Sequence, residues 1–243
     1  MEVVLLGSFL SAMATGLGAL PVLLFRNVNH RSRDMLLAFT AGIMVAAAML
    51  NLIPTALKEG GYVAITVGIL TGTLVLSALE KTIPHMDLDH SRKDVAFDSK
   101  SLLIISAITL HNLPEGLSVG VSYASGSESM GPLIALAIGL QNAPEGLLVA
   151  VFLLYQKVSR FRAFLIATAT GSVEIITALL GYSATSAVEG LVPFGLSFAA
   201  GAMLFIVYKE LIPESHGDGN ELASTYAFIA GLLVMIGLIV LFG

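Results

Sequence analysis

Eight long apolar runs divide the sequence, and each is long enough to cross a lipid bilayer as a helix. A hydrocarbon core of about 30 Å requires roughly 20 apolar residues in helical conformation. The runs cover about residues 3–25, 35–57, 62–82, 101–123, 131–155, 162–184, 192–212 and 222–242. Only 12% of the residues are charged, against about 25% in an average soluble domain. The sequence therefore predicts an all-α polytopic membrane protein with eight transmembrane helices.

The basic residues predict the orientation of the chain. Ten of the twelve Lys and Arg residues lie just after the first run, between the third and fourth runs, or between the fifth and sixth runs. Loops rich in Lys and Arg remain in the cytoplasm, so both termini are expected to be extracytoplasmic. The polar stretch at about residues 83–100 is then a cytoplasmic loop within a single transmembrane domain, residues 1–243.

Two related motifs place polar residues inside apolar runs. HNLPEG (111–116) and QNAPEG (141–146) are offset by thirty residues. His111 and Glu115 are four residues apart and share one helix face, while Pro114 and Pro144 release the backbone carbonyls of Leu110 and Leu140. A charge at the bilayer centre costs at least about 2.5 kcal/mol. A divalent cation would relieve that cost, and imidazole with carboxylates suits zinc or neighbouring first-row metals.

A third carboxylate, Glu174, lies deep in the sixth run. If the three helices adjoin, the polar residues could line one metal site: His111, Asn112, Glu115, Gln141, Asn142, Glu145 and Glu174. An alternative stays open, in which these side chains form hydrogen bonds that pack helices together. For Gln141 and Asn142 taken alone, packing is as good an explanation as metal ligation.

A second repeat links the second and seventh runs. AGIMVAAAMLNLIP (41–54) aligns with AGAMLFIVYKELIP (200–213) at an offset of 159 residues. An even-numbered and an odd-numbered span cross the membrane in opposite directions, and so do the two motif helices. Both repeats are therefore expected to be inverted, which is typical of transporters with sites near the bilayer midplane.

The sequence resembles the ZIP (Zrt-, Irt-like protein) family, with HNLPEG similar to its fourth-span signature and QNAPEG to the fifth-span form of its GufA-type branch. The resemblance implies a 3+2+3 inverted-repeat fold and uptake of divalent metal ions across the plasma membrane into the cytoplasm. Zinc is the first expected substrate, with cadmium, iron and manganese as further ones, and no prosthetic group is implied. One ion would be held by His111, Glu115, Gln141 and Glu145. A second would use Asn112, Asn142 and Glu174, with Glu115 and Glu145 bridging.

Several other residues are candidates for the transport pathway. Lys209 lies where relatives often carry His or an acid, and it could pair with Glu210, repel cations, or replace the charge of a metal. The loop motif HMDLDH, with His85, Asp87, Asp89 and His90, could receive metal leaving the pore or could be a solvated loop. Met44 and its repeat counterpart Met203 could contact a soft metal, although core packing is favoured.

Other functions are disfavoured by what the sequence lacks. No GxxxxGK[ST] loop is present for ATP, and no HExxH motif supports an intramembrane metalloprotease. The chain has no cysteine, which excludes thiolate metal sites. It also has no basic patch of the kind that would indicate nucleic-acid binding. An enzyme is therefore not expected, and a carrier of a non-metal small cation is the remaining alternative. The GxxxG pair Gly68 and Gly72 predicts close helix packing, within one protomer or across a homodimer in the lipid bilayer.

Overall fold

The computed structural model describes residues 1–24, 28–82, 97–188, 190–216 and 219–242, and its regular structure within these ranges is entirely helical. The helices there are α1 (Glu2–Ala19), α2 (His30–Ala47), α3 (Ile53–Thr82), α4 (Phe97–Ala124), α5 (Met130–Tyr155), α6 (Arg160–Ala187), α7 (Val192–Ile206), α8 (Ile212–Glu214) and α9 (Glu221–Phe242). A 3₁₀ turn, Leu20–Leu23, follows α1, and π-helical segments join α2 to α3 (Ala48–Leu52) and α7 to α8 (Val207–Leu211). The all-α fold predicted from the apolar runs is confirmed.

Six helical stretches of the described residues are long and apolar enough to cross a membrane. They are Glu2–Leu23, His30–Thr82, Met130–Tyr155, Arg160–Ala187, Val192–Glu214 and Glu221–Phe242. The stretch His30–Thr82 has 53 residues and would measure about 80 Å as one straight helix, more than twice a hydrocarbon core. It is divided at Gly61, whose φ of 70° and ψ of −176° suit glycine and strain other residues. Gly61 lies between the second and third apolar runs, so it separates two arms of α3.

Within the described ranges, the long helices pack as two groups of four. In the first group, which we call the α4/α5 bundle, α4 packs along α6 and α1 packs along α5 and α6. In the second, the α2/α7 bundle, α3 packs along α7 and α2 packs along α9. The bundles meet where α4 contacts α7 and where α5 contacts α2. Both motif helices therefore lie at the contact between the bundles.

Close backbone contacts between helices recur in pairs related by a shift of 159 residues. In each contact, a glycine lies so close to a carbonyl oxygen of the facing helix that a side chain would collide with it. The contacts are Gly72 with Phe198 and Gly231 with Phe39, and also Gly42 with Phe228 and Gly201 with Ile69. The two π segments are separated by the same 159 residues. The α2–α3 and α7–α9 regions therefore have matching packing geometry.

The GxxxG pair of α3 is used within the protomer. Gly68 faces Ser197 and Phe194, and Gly72 faces the backbone of Phe198, all in α7 of the same chain. Close packing at this pair, predicted from the sequence, thus joins α3 to α7.

Replacing Gly72 with alanine is expected to push α3 away from α7, because the new Cβ would overlap the Phe198 carbonyl oxygen. Overpacking typically costs about 1–3 kcal/mol, which outweighs the roughly 1 kcal/mol that alanine gains over glycine in a helix. Thermal unfolding of the purified protein in detergent should therefore show a lower midpoint. Gly237→Ala in α9 is the control, since a Cβ there meets nothing within 4 Å, and its midpoint should stay level or rise. Equal midpoints for the two variants would contradict the close contact.

Candidate functional site

The polar residues of both motifs lie inside the protein rather than against lipid. The buried residues are His111, Asn112 and Glu115 of α4 and Gln141, Asn142 and Glu145 of α5. Both helices continue through their prolines, Pro114 and Pro144, which have no N–H to donate to the backbone carbonyls of Leu110 and Leu140. The helices can continue because the φ of proline fits a helix, and the missing N–H removes one backbone hydrogen bond without requiring the helix to end.

Glu115 connects the two motif helices. Its Oε1 accepts a hydrogen bond of 2.6 Å from Nε2 of Gln141, and both side chains are fully buried. The remaining oxygens of the pair, Glu115 Oε2 and Gln141 Oε1, have no hydrogen-bond partner in the described part of the chain. Glu115 and Gln141 therefore meet at the contact between α4 and α5 with two acceptor oxygens left over.

Glu174 of α6 is held by donors from two other helices. Nδ2 of Asn142 donates to Glu174, at 2.8 Å from Oε1 and 2.9 Å from Oε2. The hydroxyl of Ser11 in α1 donates to Oε2 at 3.0 Å. Ser11 was missed by the sequence analysis, because its role depends on contact with a residue 163 positions away. A buried serine in α1 thus belongs to the candidate site.

Asn112 makes a contact that corresponds to one made by Asn142. Nδ2 of Asn112 donates to the backbone oxygen of Thr170 at 2.8 Å, and Nδ2 of Asn142 donates to that of Ser11 at 3.1 Å. The two asparagines are thirty residues apart, and Ser11 and Thr170 are 159 apart. Each side-chain amide donates an N–H to a backbone oxygen of a neighbouring helix. The Oδ1 atoms of both asparagines therefore remain available as ligands.

His111 connects the two bundles. Its Nε2 lies 2.7 Å from Oε2 of Glu210, which is in the π segment after α7, and both side chains are buried. The neighbouring Lys209 takes a different direction: its ammonium pairs with Glu80 of α3 and lies 5.8 Å from the centre of the Phe205 ring. Consecutive residues of the π segment thus contact different parts of the molecule. The sequence suggested an ion pair of Lys209 with Glu210, whereas in the structure Lys209 pairs with Glu80.

Five buried oxygen atoms at the two motifs have no proton donor among the described residues. They are Asn112 Oδ1, Glu115 Oε2, Gln141 Oε1, Asn142 Oδ1 and Glu145 Oε1. A buried acceptor without a partner costs about 1–3 kcal/mol, and more when it is charged. Such a set of oxygens is complementary to a cation and repels an anion.

Among the residues that the structure describes, no three His, Asp or Glu side chains converge to hold a metal ion by themselves. Amide side chains engage two of the carboxylates instead. Gln141 donates to one oxygen of Glu115, and Asn142 contacts both oxygens of Glu174. An ion shared by carboxylates of α4, α5 and α6 would have to displace these amide N–H groups.

Of the remaining candidates for the transport pathway, the structure describes the two methionines but not the loop residues. Met44 and Met203 are both fully buried in one apolar cluster between helices, where they pack with other core side chains. This is the core packing that the sequence favoured. The loop candidates His85, Asp87, Asp89 and His90 lie outside the described residues.

Buried carboxylates and amides at the centre of a polytopic helical protein are typical of an ion transporter. Residues 84–239 match the family model described as ZIP zinc transporter. The chain is 37% identical over 243 residues to zinc transporter GufA of Myxococcus xanthus, covering 96% of each sequence. It is 35% identical over 242 residues to zinc transporter ZIPB of Bordetella bronchiseptica, covering 95% of this chain and 78% of the relative. It is also 33% identical over 259 residues to zinc transporter ZupT of Chlorobium luteolum, covering 96% of each. The chain belongs to the ZIP family, in its GufA-type branch.

Ser11→Ala is expected to lower the midpoint of thermal unfolding, because it removes a donor to the buried carboxylate of Glu174. A hydrogen bond to a charged group contributes about 1.5–3 kcal/mol. Ser8→Ala is the matched control, since Ser8 is buried in the same helix and donates to the backbone oxygen of Val4. Unfolding would be followed in metal-free detergent solution. If Ser8→Ala lowers the unfolding midpoint as much as Ser11→Ala does, the contact of Ser11 with Glu174 is not the cause of the lower midpoint.

Proposed function

We propose that the chain transports divalent metal ions, zinc first among them, across the plasma membrane into the cytoplasm. The proposal depends on the buried oxygens without donors on Asn112, Glu115, Gln141, Asn142 and Glu145. In an apolar interior these acceptors are costly unless positive charge reaches them. A transported cation supplies that charge, and the names of the relatives agree with zinc.

The proposed ligands form two positions that share the carboxylates of α4 and α5. The first ion is held by His111, Glu115, Gln141 and Glu145. The second uses Asn112, Asn142 and Glu174, with Glu115 and Glu145 bridging the two ions. Imidazole and carboxylate are good ligands for zinc and other first-row metals, whereas amide oxygens are weaker. The first position is therefore the stronger one.

Protein contacts occupy three of the proposed ligands before an ion arrives, and one of them is Glu174, which accepts from Asn142 and Ser11. His111 is bonded to Glu210, and Glu115 accepts from Gln141. An arriving ion would separate His111 from Glu210 and turn the Gln141 amide so that its oxygen faces the metal. Breaking these contacts offsets part of the binding energy, which keeps the ion exchangeable, as conduction requires. Metal binding also displaces protons from its ligands, so Glu115 and Glu145 could couple uptake to proton release.

The proposed fold has eight spans in a three-plus-two-plus-three arrangement. The spans are α1, α2 with the first arm of α3, the second arm of α3, α4, α5, α6, α7 with α8, and α9. The glycine contacts and π segments that recur after 159 residues support this arrangement. So do the motif helices, whose asparagines make matching contacts to α6 and α1. The repeats are inverted because the related spans cross the membrane in opposite directions.

The proposed orientation of the chain is supported by its charge distribution, and cavities lie toward both ends of the molecule. At the expected cytoplasmic end, a cavity of about 350 Å³ is lined by Pro21, Val22, Val28, Asn29, Ser32, Leu36, Leu147 and Val151. Toward the opposite end, the side chain of Val121 in α4 lies against Gly195 of α7, and a second cavity of about 480 Å³ has Ser11 of α1 in its lining. Because Ser11 donates to Glu174, this second cavity lies beside the candidate site.

Zinc uptake into vesicles that enclose a fluorescent zinc indicator tests the proposed function. Wild-type protein should accumulate zinc, and His111→Ala and Glu145→Ala should each lower the initial rate by more than about tenfold, because lost ligand contacts weaken metal binding at least to that degree. Glu221→Gln removes an exposed acid from the first turn of α9 and should leave the rate unchanged. Wild-type uptake by folded His111→Ala and Glu145→Ala proteins would overturn the assigned site.

The proposed topology can be tested with single cysteines, because the chain has none of its own. Glu128→Cys, in the exposed turn before α5, is expected to react with a membrane-impermeant maleimide on intact cells. Ser159→Cys, at the exposed start of α6, should react only after the cells are permeabilised; Ser159 makes no side-chain capping bond that the substitution would break. The reverse labelling pattern would show that the chain is inserted in the opposite orientation.

A further inference from the structure

Thr15 of α1 occupies the position that corresponds to Glu174 of α6. The two residues are 159 positions apart. Gly146 of α5 lies against the backbone oxygen of Thr15, and Gly116 of α4 lies against that of Glu174. These two glycines are thirty residues apart. The helix pairs α1–α5 and α6–α4 are therefore matched residue by residue around the site.

The two corresponding positions differ in how their polar groups are satisfied. The carboxylate of Glu174 accepts from both Asn142 and Ser11. On the matching side, the Thr15 hydroxyl and the Asn112 Oδ1 have no hydrogen-bond partner in the described ranges, although both residues are only 1% exposed. A short neutral hydroxyl thus stands where the repeat has a carboxylate.

Thr15 also lies close to the helices that carry the site. Its backbone oxygen touches Gly146, the residue after Glu145. A Cβ built on Gly171, one turn before Glu174, would be 3.0 Å from the Thr15 hydroxyl oxygen. The hydroxyl therefore lies against α6, one turn before Glu174, while the backbone oxygen of the same residue lies against α5.

Helix packing does not account for the hydroxyl of Thr15. Threonine in a helix commonly donates to a carbonyl of the preceding turn, as Thr109, Thr168 and Thr185 do in this protein. Thr15 makes no such bond in the described part of the chain, so its buried hydroxyl costs about 1–3 kcal/mol. Valine has nearly the same shape without that cost, and would serve better if packing were the only requirement.

We propose that the hydroxyl oxygen of Thr15 is a further ligand of the transported divalent cation, at the second position. This inference rests on the proposed function. Because the hydroxyl is neutral, the second ion gains an oxygen without a fourth carboxylate joining Glu115, Glu145 and Glu174. The ion is then bound less tightly than in a site with two acids at the corresponding positions, which favours its release.

Thr15→Val tests the inference, with zinc binding to detergent-solubilised protein measured by calorimetry and by the metal-dependent rise in unfolding temperature. In the absence of metal, Thr15→Val should unfold at or above the wild-type temperature, because an unsatisfied hydroxyl is removed. Its zinc affinity at the weaker position should fall by about tenfold, as expected when a ligand contact is lost. Thr15→Ser, which restores the hydroxyl, should recover most of that affinity.

Ser224→Ala is the matched control. Ser224 of α9 is also fully buried, and its hydroxyl also lacks a partner among the described residues, but α9 carries no proposed ligand. Its removal should leave both zinc affinities unchanged. Wild-type zinc binding by folded Thr15→Val protein would overturn the inference, as would an equal loss in Ser224→Ala.

Glu145→Ala separates this inference from the proposed function. If wild-type protein binds zinc, Glu145→Ala loses it and Thr15→Val does not, the assignment of Thr15 is wrong and the metal site stands. If wild-type protein binds no divalent metal, the proposed function and the role of Thr15 are both overturned.

Discussion

An excess of buried oxygen acceptors over donors at α4 and α5 is the constraint on which the rest of the structure depends. Carboxylates deep in an apolar protein must be compensated by nearby donors or by positive charge. Ser11 and Asn142 do this for Glu174, and Gln141 does it in part for Glu115. The close helix contacts around the site bring these groups within hydrogen-bond distance, and the oxygens that they leave unpaired are the ones proposed to bind an ion.

The sequence predicted the helices well and the partners of individual side chains poorly. Length and hydropathy are local properties, so the apolar runs indicated an entirely helical fold, which the described residues have. Polar residues in apolar runs are costly, which marked His111 and Glu115 as site candidates. Ser11 and Thr15 gave no such signal, because their neighbours come from α5 and α6. For the same reason the pairing of Lys209 with Glu80 of α3 was not predicted.

The prolines of the chain differ in the helical structure around them. Pro114 and Pro144 lie in continuous α-helices. The departures from α-helix occur at Ala48–Leu52 and Val207–Leu211, just before Pro54 and Pro213. A proline ring crowds the preceding turn, and an extra residue in that turn relieves the crowding. Which prolines are accommodated in this way depends on the packing around each helix, which sequence spacing does not report.

The contacts of glycine with carbonyl oxygens have a mechanical consequence. They join α3 to α7 and α2 to α9 with no side chain between the backbones, so these pairs have no rotamers that could adjust to a displacement. The contact between the bundles is different, since it includes side chains such as Val121 that can repack. Conformational change should therefore be concentrated at the contact between the bundles, while the helices within a bundle move together as a rigid body.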